Sequence, residues 1–276
     1  MSQSNSTLIY SAIHLILLLA SLTAAANEMA TEAELHDETG DALILERTSV
    51  PPQQNHMVSL AAALDPNEII WLNEGEKTFI TLYRPALQAA QMAVVLMPDS
   101  IHKLAQRSLM RQLYIELPMT GWSTLHISLP KSVEKTETPN EAQEALAAER
   151  IATSIGFLLD KGVLSVALVA ENHSAQRAIQ ASITQADATS GLVLWRVDRH
   201  GLSLPQLKAL AQSQITVLDV VDHGISATEK AERVRQFNLA GFAQNYRLIT
   251  SPQGSAGIDH TQRRVRDWLE TRFKKF

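Results

Sequence analysis

Cysteine is absent from the 276 residues, which excludes disulfide scaffolds, thiol nucleophiles and Cys-based zinc sites together. An excess of positive charge is also missing. With a formal net charge of −5 and a pI of about 6.0, the chain has no long-range positive field for nucleic acid or an anionic membrane, so no nucleic-acid partner is expected. No Gly-rich loop follows any apolar run, which removes the nucleotide fingerprints, and no internal repeat is visible. The first 26 residues contain no Lys, Arg, Asp or Glu.

What is present suits one substantial core: 45% of the residues are hydrophobic and 19% charged, over a length too short for two comfortable α/β domains. Within the charge-free start, Leu15 to Leu19 form an apolar block that runs into Leu22, Thr23, Ala24, Ala25 and Ala26. This pattern predicts a secretory signal over 1–26 with an A-x-A cleavage site after Ala26, and hence export to the periplasm. It departs from the usual signal in lacking an amino-terminal Lys or Arg. The alternative is an uncleaved membrane anchor, with Ser11, His14 and Ser21 inside a short span. A chain without cysteine is compatible with an oxidising compartment.

Residues 27–66 carry Glu28, Glu32, Glu34, Asp37, Glu38, Asp41 and Glu46 and then Pro51 and Pro52, with few residues to bury. They read as a flexible acidic leader with a short ordered piece at Leu43 to Leu45, or as a partner-binding tail. The texture changes from Glu68, and residues 67–276 are expected to form the folded domain. EIIWL (68–72) and KTFITLYR (77–84), separated by Asn73, Glu74 and Gly75, suit a hairpin. MAVVLMP (92–98) reads as a strand buried on both faces, and Leu104, Leu109, Leu113 and Leu117 mark an amphipathic helix over 101–118 ended by Pro118 and Gly121.

Strand and helix then alternate. WSTLHISLP (122–130) is a strand; after a charged stretch at 131–139, Asn140 caps an Ala- and Glu-rich helix reaching Leu159. VLSVALVA (163–170) stops abruptly at Glu171 and becomes helical within a few residues, as far as Thr184. Strands at 191–197, 215–221 and 246–250 alternate with helices at 202–212 and 227–239. The last helix puts Val265, Trp268, Leu269 and Phe273 on one face and its Arg and Lys residues on the other, either a docked surface helix or a basic docking patch. The alternation predicts a single-domain α/β fold, doubly wound, with a mostly parallel sheet and helices on both faces.

The element order, together with MAVVLMPDS, GWSTLHISLP and VLSVALVAENHSA, resembles a family of exported bacterial α/β-hydrolase-like proteins catalogued only as a domain of unknown function. The resemblance covers about residues 68–275, and GWSTLHISLP is its most specific piece. It implies the hydrolase-like fold and a bacterial envelope setting, and it implies no established activity.

In true α/β-hydrolases the strand matching 163–170 leads into G-x-S-x-G, where small residues allow the tight turn that presents the serine. The matching positions here are Ala170, Glu171, Asn172, His173 and Ser174. Asparagine tolerates positive φ, so the bend can persist, but an amide has no proton that a histidine could remove to make it a nucleophile. A shifted frame with Ser174 as nucleophile would bring bulky Gln176 to a glycine position and run the strand through Glu171. Asp222, after the 215–221 strand, and His260, expected ahead of the final helix, match the acid and base of a triad.

The oxyanion region is Met97, Pro98, Asp99 and Ser100; Pro98 has no N–H, and a carboxylate at Asp99 repels a developing oxyanion. The crevice is therefore expected to bind a small molecule or an envelope partner, through Asp99, Ser100, Glu171, Asn172, His173, Asp222 and His223, without a cofactor. Glu171, His173, Asp222, His223 and His260 could supply carboxylate and imidazole ligands. They show no H-E-x-x-H or comparable spacing, and no metal is expected. The competing reading is an ester or amide hydrolase using a displaced Ser174, His260 and Asp222 arrangement.

Overall fold

The structure, a computed structural model, describes residues 65–75, 77–88, 91–99, 108–130, 141–198, 202–242 and 244–273. The chain divides into two units, Met1–Ser49 and Val50–Phe276, and every described residue belongs to the second. The expected signal segment, the leader as far as residue 64, Ser100, the stretch 131–139 and Asn140 lie outside the described residues. Among the described residues no helix is long and apolar enough to cross a membrane.

The described residues build one eight-stranded sheet in the order β1-β2-β4-β3-β5-β6-β7-β8. β1 (Ile69–Glu74) and β2 (Lys77–Arg84) form the expected antiparallel hairpin, and Gly75 at its turn takes φ +56°, a conformation that costs glycine little. β2 also pairs antiparallel with β4 (Trp122–Ile127). β4, β3 (Met92–Met97), β5 (Ser165–Glu171), β6 (Thr189–Trp195), β7 (Thr216–Asp222) and β8 (Tyr246–Ser251) then pair in parallel.

The helices follow the alternation. They are α1 (Leu109–Glu116), α2 (Glu141–Asp160), α3 (Ser174–Thr184), α4 (Leu204–Gln212), α5 (Ala227–Ala240) and α6 (Gly254–Phe273). Side-chain oxygens cap the starts of three of them: Ser108 accepts from Arg111 N–H, Ser203 from Gln206 N–H, and Ser226 and Glu229 form a capping box.

Period-two alternation in the central strands divides the interior into two layers. Ala93, Val95 and Met97 of β3 and Val166, Leu168 and Ala170 of β5 pack under α2 to α5. Val94 and Leu96, with Ala167 and Val169, face α1 and α6 through Leu109, Leu113, Val265 and Trp268. Gly191 shows how close the second layer lies: a Cβ there would stand 2.6 Å from the Phe273 ring.

Several boundaries differ from expectation for identifiable reasons. Asn73 and Glu74 belong to β1 and not to the turn, because Arg150 of α2 ion-pairs with buried Glu74 and lets a carboxylate sit in the strand. Glu171 likewise belongs to β5, wholly buried and opposite Trp195. Pro118 falls in a 3-10 turn, Leu117–Thr120, which Gly121 ends in the left-handed region at φ +88°. Only Pro252 and Gln253 separate β8 from α6, so His260 lies within the final helix and not ahead of it.

Two buried charge networks brace the α2–α5 side. Arg233 of α5 donates through Nε to Asp219 Oδ2 at 2.8 Å and through Nη1 to the Val197 carbonyl at 2.9 Å, and the Tyr246 hydroxyl donates to the same carboxylate at 2.9 Å. Burial pushes the Asp219 carboxyl up while Arg233 and Tyr246 pull it down; burial and Asp219 raise the Tyr246 phenol. Beside α2, Arg150 pairs with Glu74 and donates to the Ser128 carbonyl at 2.7 Å.

Candidate functional site

Parallel strands bring their carboxyl ends to one edge, and there β5 turns into α3 with two residues between. The turn is made by Asn172, at φ +48°, followed by exposed His173 in the helical region. An L-residue reaches that φ only at a cost, which asparagine bears better than most. The bend is held on three sides. Asn172 N–H donates to the Trp195 carbonyl at 2.9 Å, its own carbonyl accepts from Ala175 N–H at 3.1 Å, and its side-chain amide donates to Asp99 Oδ2 at 3.2 Å.

The end of β3 is tied to the same turn. Asp99 N–H donates to Glu171 Oε2 at 3.4 Å, and the Ser174 hydroxyl donates to the Pro98 carbonyl at 3.3 Å. Pro98 is buried, and Asp99 is exposed at the mouth with its carboxylate against the Asn172 amide. The region that would receive a developing negative charge in acyl transfer thus offers a carboxylate. The described residues of this edge can hold a polar ligand by amide, carboxylate and backbone groups, but they present no activated nucleophile.

The other candidates occupy separate places. Asp222 is the last residue of β7, not a residue beyond it, and its carboxylate accepts from Arg196 Nε at 2.9 Å. Arg196 itself lies at φ +57° after β6, with its guanidinium 4.8 Å over the Trp195 ring. His223 is exposed beside Asp222, and His260 is exposed in the second turn of α6. Among the described residues no hydrogen bond joins Ser174, Asp222 and His260, and no three His, Asp or Glu side chains gather closely enough to hold a metal ion. Buried Ser174, at the first turn of α3, is a fastening between α3 and β3.

Three features at or near this edge were not singled out from sequence. Arg196 links β6 to Asp222, a role signalled only by its position directly after an apolar strand. The indole N–H of Trp195, in register with Glu171, is buried without a partner among the described residues. His126, inside β4 and opposite Leu96, is wholly buried with neither ring nitrogen hydrogen-bonded among the described residues, and burial pushes its pKa down to about 3. A lone histidine in an apolar strand was its only sequence signal.

A family model described as "Protein of unknown function (DUF3530)" matches residues 8–149. Among solved structures, a protein of unknown function from Agrobacterium tumefaciens, described as an α/β hydrolase, is similar at 14% identity and a TM-score of 0.57, over 75% of this chain and 96% of that one. Dienelactone hydrolase from Anabaena variabilis is similar at 15% identity and a TM-score of 0.56, over 74% and 96%. Est1E from Butyrivibrio proteoclasticus follows at 10% identity and a TM-score of 0.55, over 75% and 100%. No curated protein matches. At such identities the likeness establishes the α/β-hydrolase-like fold and leaves the chemistry to the residues of this chain.

Proposed function

The chain belongs to the DUF3530 family of proteins of unknown function, and from that premise we propose that it is an exported α/β-hydrolase-like protein without serine-triad catalysis, serving as a binding or accessory protein of the cell envelope. One observation carries this reading: the tip of the strand-to-helix turn is Asn172, at φ +48°, with its amide donating to Asp99. The amide holds the bend and offers a hydrogen bond, and it cannot be deprotonated into a nucleophile at neutral pH. Asp99 further opposes an oxyanion at the neighbouring position. Export rests on the apolar, charge-free segment ending in Ala24 to Ala26.

The competing hydrolase reading needs Ser174, His260 and Asp222 as nucleophile, base and orienter. The Ser174 hydroxyl is committed to the Pro98 carbonyl, Asp222 to Arg196, and His260 is carried on α6, so no observation favours it. The deciding experiment treats the mature protein with a fluorophosphonate probe, with Ser174→Ala as control. No labelling is expected. Labelling that disappears in Ser174→Ala would overturn the proposal. For export, the protein recovered from the periplasmic fraction is expected to begin at Asn27; an intact chain confined to the cytosol contradicts that part.

A further inference from the structure

A group of exposed apolar side chains lies at the edge of the sheet opposite the Asn172 turn, where the parallel strands begin. Leu87 is 77% exposed, Met119 68% and Leu164 69%. Backbone hydrogen bonds bring their segments together. Leu87 N–H donates to the Pro118 carbonyl at 3.1 Å, beside Met119, and Leu164 N–H donates to the Gln91 carbonyl at 2.8 Å. Met92 of β3 is in register with both Trp122 and Ser165, so Gln91 stands between Gly121 and Leu164. Single exposed apolar residues are ordinary, whereas several gathered at one edge mark a contact surface.

The chain enters the sheet at the same place. Asp65 is extended, at φ −63° and ψ 121°, ahead of a 3-10 turn at Pro66–Glu68, and β1 then starts beside the end of β2, with Ile69 opposite Leu82. Glu68 is fastened on two sides. Its Oε1 lies 2.6 Å from Arg84 Nη2, and its Oε2 accepts from the Tyr114 hydroxyl at 2.8 Å. Arg84 precedes Leu87 by three residues, and Tyr114 precedes Met119 by five. The entry point is therefore bracketed by the two segments that carry exposed Leu87 and Met119. Immediately before it the sequence reads MVSLAAAL (57–64), uncharged, with Met57, Leu60, Ala61 and Leu64 at i, i+3, i+4 and i+7, the spacing of one helical face. Pro66 disfavours helical backbone at Asp65, so that face ends at Leu64.

We propose that the occupant of this surface is the chain's own segment 57–64, docked as a short amphipathic helix on Leu87 and Met119 and directed toward Leu164. Eight residues of helix span about 12 Å, enough to cross from the entry point over these side chains. A helix this short is marginal alone, so burial of Met57, Leu60 and Leu64 against the patch must hold it. Its tether at Asp65 makes the encounter intramolecular, which gives it the advantage over a second copy or any other apolar partner. The acidic leader then ends before Met57, and the folded domain begins there. This docking is independent of the Asn172 turn and of export.

The test measures amide hydrogen exchange by mass spectrometry on the full chain at low micromolar concentration. Amides of 58–64 are expected to exchange about tenfold or more slower than those of a coil. In Leu87→Asp combined with Met119→Asp, both at exposed positions, that protection should be lost while the protection of β3 and β5 persists. Leu60→Asp supplies the reverse reading: hydrogen peroxide should oxidise Met119 several-fold faster than in the unaltered protein, because the side chain is uncovered. Coil-like exchange of 58–64 in the unaltered protein, protection that survives the double change, or equal oxidation of Met119 would each overturn the proposal. So would protection that arises only as concentration is raised, which assigns the patch to a second copy, or only with phosphatidylglycerol vesicles, which assigns it to a lipid surface.

Discussion

The side-chain amide of Asn172 donates to Asp99 Oδ2 across 3.2 Å, joining the tip of the β5–α3 turn to the end of β3. In a working acyl-transfer site these places would hold a nucleophile and the donors for its oxyanion. Here they hold an amide and a carboxylate bound to each other. Restoring the serine is therefore insufficient: Asn172→Ser is expected to hydrolyse p-nitrophenyl acetate no faster than the unaltered protein, since among the described residues no histidine is hydrogen-bonded at the turn and Asp99 remains. A catalytic gain measured above background would contradict this account of the site.

The same residue should be visible in stability. Asn172 lies at φ +48°, so Asn172→Gly should cost little, whereas Asn172→Ala loses the bond to Asp99 and forces a Cβ-bearing residue without local support into the left-handed region. The expected loss is about 1–2 kcal/mol, read from urea midpoints at pH 7. An alanine variant as stable as the glycine variant would show that the turn is not held by this conformation.

His126 predicts a pH dependence. Burial lowers its folded pKa to about 3 from the ordinary 6.5, so the unfolded chain takes up the proton first as pH falls. The stabilisation is fully present above about 6.5 and is lost progressively from there toward pH 3, at up to about 1.4 kcal/mol per pH unit. Denaturation at pH 7 and pH 5 should show a smaller loss for His126→Leu than for the unaltered protein. Equal losses would mean that this histidine titrates normally.

Gly191 and Phe273 supply a packing test. A Cβ at residue 191 would come within 2.6 Å of the Phe273 ring, whose far end can be displaced only by disturbing its edge contacts with Trp122 and Trp268. Gly191→Ala should cost about 1–3 kcal/mol, and much of that should be recovered in combination with Phe273→Leu. Strict additivity of the two changes would deny the contact.

Arg233 and Asp219 provide a fourth stability measurement. Arg233→Met leaves a buried carboxylate with only the Tyr246 hydroxyl, and the expected cost is about 3–5 kcal/mol at pH 7. Asp219→Leu combined with Arg233→Met should be less damaging than Arg233→Met alone, because no unpaired charge is then buried. The reverse ranking would mean that the pair contributes more by attraction than by mutual neutralisation.

Most strands and helices were legible because their signals are local. The apolar run 92–97 announces a strand buried on both faces, and Ser226 with Glu229 announces a helix start. Where local reading failed, a distant partner changed the preference. Glu74 belongs to a strand because Arg150, 76 residues later, pairs with it. Glu171 is a buried strand residue that accepts from Asp99 N–H, 72 residues earlier. His260 lies inside α6 because only two residues intervene between β8 and that helix, whereas Pro252, Gly254, Ser255 and Gly257 read locally as a longer turn.

The sequence by itself determined the alternating architecture and the presence of an amide, Asn172, directly after the β5 run, since both depend on residue type and spacing along the chain. It also determined the chemical poverty of the Pro98 and Asp99 region, where a missing N–H and an added carboxylate follow from identity alone. Only the tertiary structure decided that Ser174 is a fastening to Pro98, that Asp222 answers to Arg196, and that Leu87 meets Pro118 beside Met119. Those facts are distances between groups far apart in the chain, set by how the helices pack on the sheet.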